Sequence, residues 1–178
     1  FYNGLGEGQL TWHRRYRYFR ETLVRLLRHF VPAGARVLDI GSGTGDLLAA
    51  LHPSEGVGVD SAENMVELAR RRHPELSFAA GCAESLDQTE IPDGPYEYVT
   101  IINCVGEMAD IGAALRRIHR YCSAETRIII VHFNHLWEPI CRLAEKLGLK
   151  PKHTTPNWLS TQDLAGLLHV SNYEVVRK

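Results

Sequence analysis

VLDIGSGTGDLL, residues 37–48, is the stretch whose reading decides the fold. Val37 to Ile40, with Arg36 before them, read as a short buried strand interrupted by one carboxylate, Asp39. Gly41, Gly43 and Gly45 follow at alternate positions. Lacking a Cβ, they permit a tight turn and let a ligand approach the backbone. Asp46 opens an apolar stretch that reads as a helix over 46–52, stopped by Pro53. A strand that passes through glycines into a helix points unpaired backbone N–H groups at whatever lies above the turn.

The same alternation continues on both sides. Downstream, 56–60 (GVGVD) reads as a second buried strand ending in Asp60, 21 residues beyond Asp39. A carboxylate at that distance from a glycine loop can accept both hydroxyls of a ribose. Ser61 is placed to cap a helix over 62–72, and strands are expected at 76–80, 96–102 and 127–133. Helices are expected over 109–122 and 137–147, and from a capping box at Ser160 and Asp163 to about His169. A sixth strand is expected from 173 to 178. Upstream, 11–30 reads as an amphipathic helix, N-capped by Thr11, with Phe19, Leu23, Leu26, Leu27 and Phe30 at helical spacing. Strands alternating with helices make βαβ units and an α/β fold, and right-handed crossovers put helices on both faces of a mostly parallel sheet.

Charge narrows the ligand. The dinucleotide fingerprint is G-x-G-x-x-G/A, whereas this loop is G-x-G-x-G with Asp46 where the last dinucleotide glycine belongs. A carboxylate there suits the helix dipole but repels a pyrophosphate. S-adenosylmethionine (SAM) carries no phosphate; its α-amino group and sulfonium make Asp39 and Asp46 favourable neighbours.

VLDIGSGTG resembles motif I of the class I SAM-dependent methyltransferases. GVDSAENMVELAR resembles the segment after it, FAAGCAESL the adenine-binding turn, and YEYVTIINCVGEMADI the motif after the fourth strand, where substrate and methyl group meet. The resemblance covers about residues 31–133, and the tail NWLSTQDLAGLL is similar to certain bacterial methyltransferase domains, some of them fused to glycosyltransferases. It implies a Rossmann-like, doubly wound, three-layer αβα domain spanning 1–178: a helical lid over 1–33 and a core over 34–178. The family's last strand, antiparallel beside the fifth, is expected to be lacking, because the chain stops before it. Asp39, Gly41, Ser42, Gly43 and Gly45 would surround the methionine part of SAM. Asp60 and Ser61 would take the ribose; Cys82, Ala83 and Glu84 would flank the adenine; Asn103 and Val105 would line the channel near the sulfonium. Cys82 stands where the family usually carries an aspartate for the adenine amino group, and Asn103 where related sequences often carry one.

Methyl transfer needs a base only when the acceptor is a hydroxyl or a protonated amine. His132 and His135 follow the fifth strand and are the candidates. No His/Asp/Glu cluster has metal-ligand spacing, so no metal is expected. The chain has 20 basic and 21 acidic residues, a net charge of -1, which disfavours a nucleic-acid acceptor. The six arginines of the N-terminal helix would grip an acidic substrate if that helix is a lid, and form a solvated face otherwise. No N-P-P-Y-type motif follows the fourth strand. The acceptor expected is a small molecule.

Cys82, Cys104, Cys122 and Cys141 are unpaired in sequence and read as reduced thiols of a cytoplasmic protein. No apolar run is long enough to span a membrane. The chain opens on Phe1 and closes inside an expected strand, so it reads as a fragment, and its oligomeric state is open. Three other readings remain: a non-catalytic SAM-binding module of a larger enzyme, an NAD-linked oxidoreductase, and an aminopropyl transferase.

Overall fold

The computed structural model describes residues 17–132, 157 and 159–176. Five strands form one sheet: β1 (Arg36–Ile40), β2 (Glu55–Asp60), β3 (Ser77–Ala80), β4 (Tyr96–Ile102) and β5 (Cys122–Val131). The helices are α1 (Arg17–Phe30), α2 (Asp46–Ala50), α3 (Glu63–Arg72), α4 (Ile111–Ile118) and α5 (Thr161–Val170). The strand order is β3-β2-β1-β4-β5 and every pairing is parallel. The chain thus leaves β1 towards β3, then returns to build β4 and β5 on the other side. This doubly wound plan changes direction between β1 and β4, and open α/β sheets bind ligands beyond the carboxyl ends of the strands at such a point.

Alternation along the strands makes the three layers. Leu38, Ile40, Val57, Val59, Val99 and Ile101 share one core with α4 and α5. Val37 and Ile102 face the other way, into a core with Leu23 and Leu27 of α1, Leu48 of α2 and Val66 and Ala69 of α3. β1 and β2 are buried on both faces, which is why they read as nearly continuous apolar runs.

Only Leu23 and Leu27 of the expected α1 stripe are buried; Phe19 and Leu26 remain 41% and 46% exposed. Arg20 donates to Asp46 (3.3 Å) and Arg28 to the Ala50 carbonyl (2.8 Å), pinning α1 along α2. At the end of the sheet away from the glycine loop, the Arg36 guanidinium donates to both Glu55 oxygens (2.8 and 3.0 Å) and to the carbonyls of Asp93 (2.6 Å) and Pro95 (3.0 Å). It also lies 4.6 Å above the Tyr96 ring, so one side chain ties β1, β2 and the approach to β4 together.

Three expectations are corrected. β5 begins at Cys122, five residues before the expected start, because Tyr96 pairs with Cys122 across an irregularity and the polar residues Ser123 to Thr126 mask a strand from a hydrophobic reading. Residues 173–176 are irregular rather than a sixth strand. Asn172 reverses the chain at φ 63°, and Tyr173 is held by its N–H to Leu168 (2.9 Å) and its hydroxyl to the Leu115 carbonyl (2.9 Å), against α4 and off the sheet edge. The expected 109–122 helix is α4 with a short 3-10 turn, its start set by Asp110, whose carboxylate accepts from Ala113 (2.8 Å). The Ser160–Asp163 capping box opens α5 as read. No strand beyond β5 occurs among the described residues. Thr11 and the 137–147 helix lie outside them.

Candidate functional site

A cleft of about 450 Å3 opens over the C-terminal ends of β1, β2 and β4, a size suited to a nucleoside. Its floor is the glycine loop. Gly41, Gly43 and Gly45 adopt φ of 74°, 53° and 74°, the left-handed region that side chains resist. The N–H groups of Gly41 and Ser42 share the Val59 carbonyl (2.8 and 3.1 Å), which locks the loop to β2. A Cβ on Gly41 would stand 2.6 Å from Cβ and Sγ of Cys104, so this glycine is required by close approach as well as by conformation.

Asp60 closes the β2 side. One carboxylate oxygen accepts from the Gly43 N–H (2.8 Å) and the other from the Ala62 N–H (2.9 Å). The second bond replaces the cap expected from Ser61, because α3 starts at Glu63 and Ala62 makes no side-chain cap. Each carboxylate oxygen keeps a lone pair for a ligand hydroxyl. Met65, one turn into α3, adds an apolar plate beside Gly43.

The other walls are the turn after β3, with Gly81, Cys82, Ala83 and Glu84, and the loop after β4, with Asn103, Cys104, Glu107, Met108 and Ala109. Glu84 joins the two walls by accepting from the Ala109 N–H (2.7 Å). Asn103 turns the chain at φ 57° and donates its N–H to Val131 (2.7 Å). The Cys104 thiol donates to the Ile40 carbonyl (3.0 Å). Burial first, then the charges of Asp39, Glu107 and Asp60, push that thiol far above its ordinary range, so it remains protonated.

Gly41, Gly43, Asp60, Ser61, Cys82, Ala83, Glu84 and Asn103 therefore border one cleft. Asp39, Ser42, Gly45 and Val105 do not border it among the described residues. Ser42 points its hydroxyl towards Gly58, and Gly45 packs against Phe78. Val105 turns into the core on a short 3-10 turn, Val105–Glu107. Asp46 also faces away from the cleft: Arg20, Arg72 (2.8 Å) and His73 (2.9 Å) surround it. Burial raises its pKa, but the His73 hydrogen bond and Arg72 outweigh that and hold it below the usual carboxylate range. It is a clamp between α1, α2 and α3. The described part of the expected lid, residues 17–33, packs on the sheet face and borders no part of the cleft; residues 1–16 lie outside the described residues.

Asp39 is 3% exposed and accepts from the Thr100 hydroxyl (2.6 Å) on the adjacent strand. Burial pushes its pKa up to about 7, against the Thr100 bond and with help from Asp60. A carboxyl whose pKa is raised in the fold holds its proton while the unfolded chain loses it. Its contribution is greatest at low pH and is lost as pH rises from about 4 to about 7. Asp39→Asn imitates the protonated form and keeps the Thr100 acceptor. The variant is expected to match the parent near pH 4 and to exceed it at pH 8 by about 4 kcal/mol, roughly 8–16 °C in melting temperature. Paired thermal melts at the two pH values check this, and a constant difference between them would refute it.

Cys104, Glu107, Met108, Met65 and Gly81 were missed by sequence reading. The 3-10 turn after β4 is the reason for the first three: it turns Val105 inward and carries residues 107–109 back along the cleft. His132 follows β5 directly and does not border the described cleft, and His135 lies outside the described residues. Among the described residues no His/Cys/Asp/Glu group could hold a metal, and no helix is long and apolar enough to cross a membrane. The charged side chains on the cleft are Asp60, Glu84 and Glu107, with no Lys, Arg or His among the described lining. Such a lining suits a cationic nucleoside and opposes a pyrophosphate.

The methyltransferase-domain family matches residues 11–178. A ubiquinone/menaquinone biosynthesis C-methyltransferase of Geotalea uraniireducens is 33% identical over 126 residues, covering 66% of this chain and 53% of that protein. A demethylmenaquinone methyltransferase of Beutenbergia cavernae is 34% identical over 167 residues, covering 80% and 67%. The chain thus spans about half to two thirds of these relatives. A SAM-dependent methyltransferase of Thermotoga maritima has the same fold, with a TM-score of 0.79 at 22% identity over 98% of this chain and 80% of that one.

Proposed function

This chain belongs to the class I SAM-dependent methyltransferase family, and we propose that it moves the methyl group of SAM to a small-molecule acceptor. The observation that carries the reading is the meeting of the glycine loop and Asp60 at one cleft whose described charges are all negative. SAM supplies a methyl carbon already activated by its sulfonium. The protein's work is to orient and to exclude water. Asp60 takes the ribose hydroxyls, and the backbone at Gly41 and Gly43 receives the methionine part. Met65, Ile40, Val59 and Met108 keep the cleft apolar between its charged points. Where the acceptor brings a hydroxyl proton, a base must come from outside the described cleft lining, and His132, the residue after β5, and His135 are the candidates.

The names of the curated relatives suggest a reduced naphthoquinone as the first acceptor to test. Free thiols at Cys82, Cys104 and Cys122 support a reducing, cytoplasmic setting. The test is calorimetric titration with SAM, S-adenosylhomocysteine and NAD, followed by turnover of SAM with a reduced naphthoquinone. Micromolar binding of the two sulfur nucleosides and none of NAD is expected. Preference for NAD, or no sulfur-nucleoside binding, overturns the reading.

A further inference from the structure

The wall of the cleft after β4 is built on very little chain of its own. Val105–Glu107 makes one 3-10 turn, closed by the Glu107 N–H on the Cys104 carbonyl (2.9 Å). So short a turn has poor hydrogen-bond geometry and does not hold its shape unaided. The Gly106 and Met108 carbonyls lie beyond that bond, and one residue from far along the chain meets both. Asn157 donates its backbone N–H to Gly106 (3.0 Å) and its side-chain amide to Met108 (2.7 Å).

Asn157 is itself well anchored. It stands three residues before Ser160, whose capping box opens α5. Leu159 and Leu164 pack in the same core as Val105 and Met108 of the wall. Beyond α5, the Tyr173 hydroxyl donates to the Leu115 carbonyl of α4 (2.9 Å). The segment from Asn157 to Tyr173 is thus pinned at both ends, to the wall at one and to α4 at the other. No residue of it belongs to the described lining of the cleft.

We propose that Asn157 is a positioning residue of the cleft: it holds the wall after β4 in the shape that binds a nucleoside, and so makes affinity depend on a segment outside the lining. The inference rests on the SAM reading above for the identity of the ligand. A wall free to take other shapes binds only for the fraction of time that it has the right one, and apparent affinity falls by that fraction. The effect is one of shape, so it falls alike on SAM and on S-adenosylhomocysteine. Coupling of this kind is reciprocal: a bound nucleoside must also steady Asn157.

The test joins calorimetric titration of the whole chain with residue-resolved hydrogen exchange and melting temperatures. Asn157→Ala is expected to weaken both nucleosides about three- to tenfold, the order of one neutral hydrogen bond. Without ligand, the same variant should speed exchange at the Glu107 and Ala109 amides. Tyr173→Phe frees the other end of the segment and is the control. It should lower the melting temperature at least as much as Asn157→Ala does, yet change affinity less than twofold. In the parent, saturating nucleoside should slow exchange at the Asn157 N–H more than at the Tyr173 N–H. A purely structural role would tie affinity to melting temperature in both variants, and that result overturns the proposal. So does an Asn157→Ala affinity within twofold of the parent, or unchanged exchange at Glu107 and Ala109. If the parent binds neither nucleoside, the SAM reading and the effect on affinity fall together, while exchange in the ligand-free chain still decides whether Asn157 holds the wall.

Discussion

Asp60→Ala is expected to remove SAM binding from the range that calorimetry can measure. The substitution deletes a charged acceptor for two ribose hydroxyls, each such bond contributing about 1.5–3 kcal/mol. Together these correspond to a weakening of at least about a hundredfold. The loss extends into the protein, because the Gly43 and Ala62 N–H groups lose their acceptor at the same time. The glycine loop then loses one of its ties to β2, although the bonds from Gly41 and Ser42 to Val59 remain. Folding should survive, and the melting temperature confirms that the loss belongs to the site. A dissociation constant within threefold of the parent would show that Asp60 does not hold the nucleoside.

Gly41→Ala should lower stability far more than the addition of one methyl group to an exposed site would. At φ 74° an alanine costs about 1–2 kcal/mol in backbone conformation alone. The new Cβ would also lie 2.6 Å from two atoms of Cys104, an overlap worth a further 1–3 kcal/mol, about what overpacked cores lose. The sum, about 2–5 kcal/mol, lowers the melting temperature by roughly 5–15 °C. Gly34 supplies the control. Its φ is 84° but nothing lies within 4 Å of a Cβ there, so Gly34→Ala should show the conformational cost without the overlap. Adding Cys104→Ala to the Gly41 variant removes the overlap with Sγ but leaves the one with Cβ, so it should recover only part of the loss. If Gly34→Ala and Gly41→Ala are equally destabilised, contact with Cys104 contributes nothing.

Much of the fold was legible because its central strands are simple. β1 and β2 are buried on both faces, and their apolar runs ended in the carboxylates and glycines that mark the ligand end. The start of β5 was hidden because a strand at its polar beginning pairs through backbone groups, which side-chain patterns do not report. On the cleft, Asp60 and the turn at Cys82 to Glu84 border one space, where sequence reading had expected them to meet a nucleoside. Asp39 and Asp46 were read as ligand contacts because charge near a glycine loop is ambiguous. A carboxylate there can face a ligand, or answer a threonine across the sheet, or two arginines and a histidine behind it. Only the packing of α1 and α3 decides between these. Glu107 lay beyond reading for a related cause: a 3-10 turn after β4 set it on the cleft.

The Arg36 cluster bears on how such a domain can be remade. It gathers five donors and a ring contact at the end of the sheet opposite the cleft. Strand alignment there is anchored without help from any cleft residue. Loops at the two ends are therefore free to diverge at different rates. Segments after β4 and β5 can be lengthened, shortened or exchanged between homologues while alignment at the far end persists, so acceptor preference can drift, or be grafted, on an inherited frame.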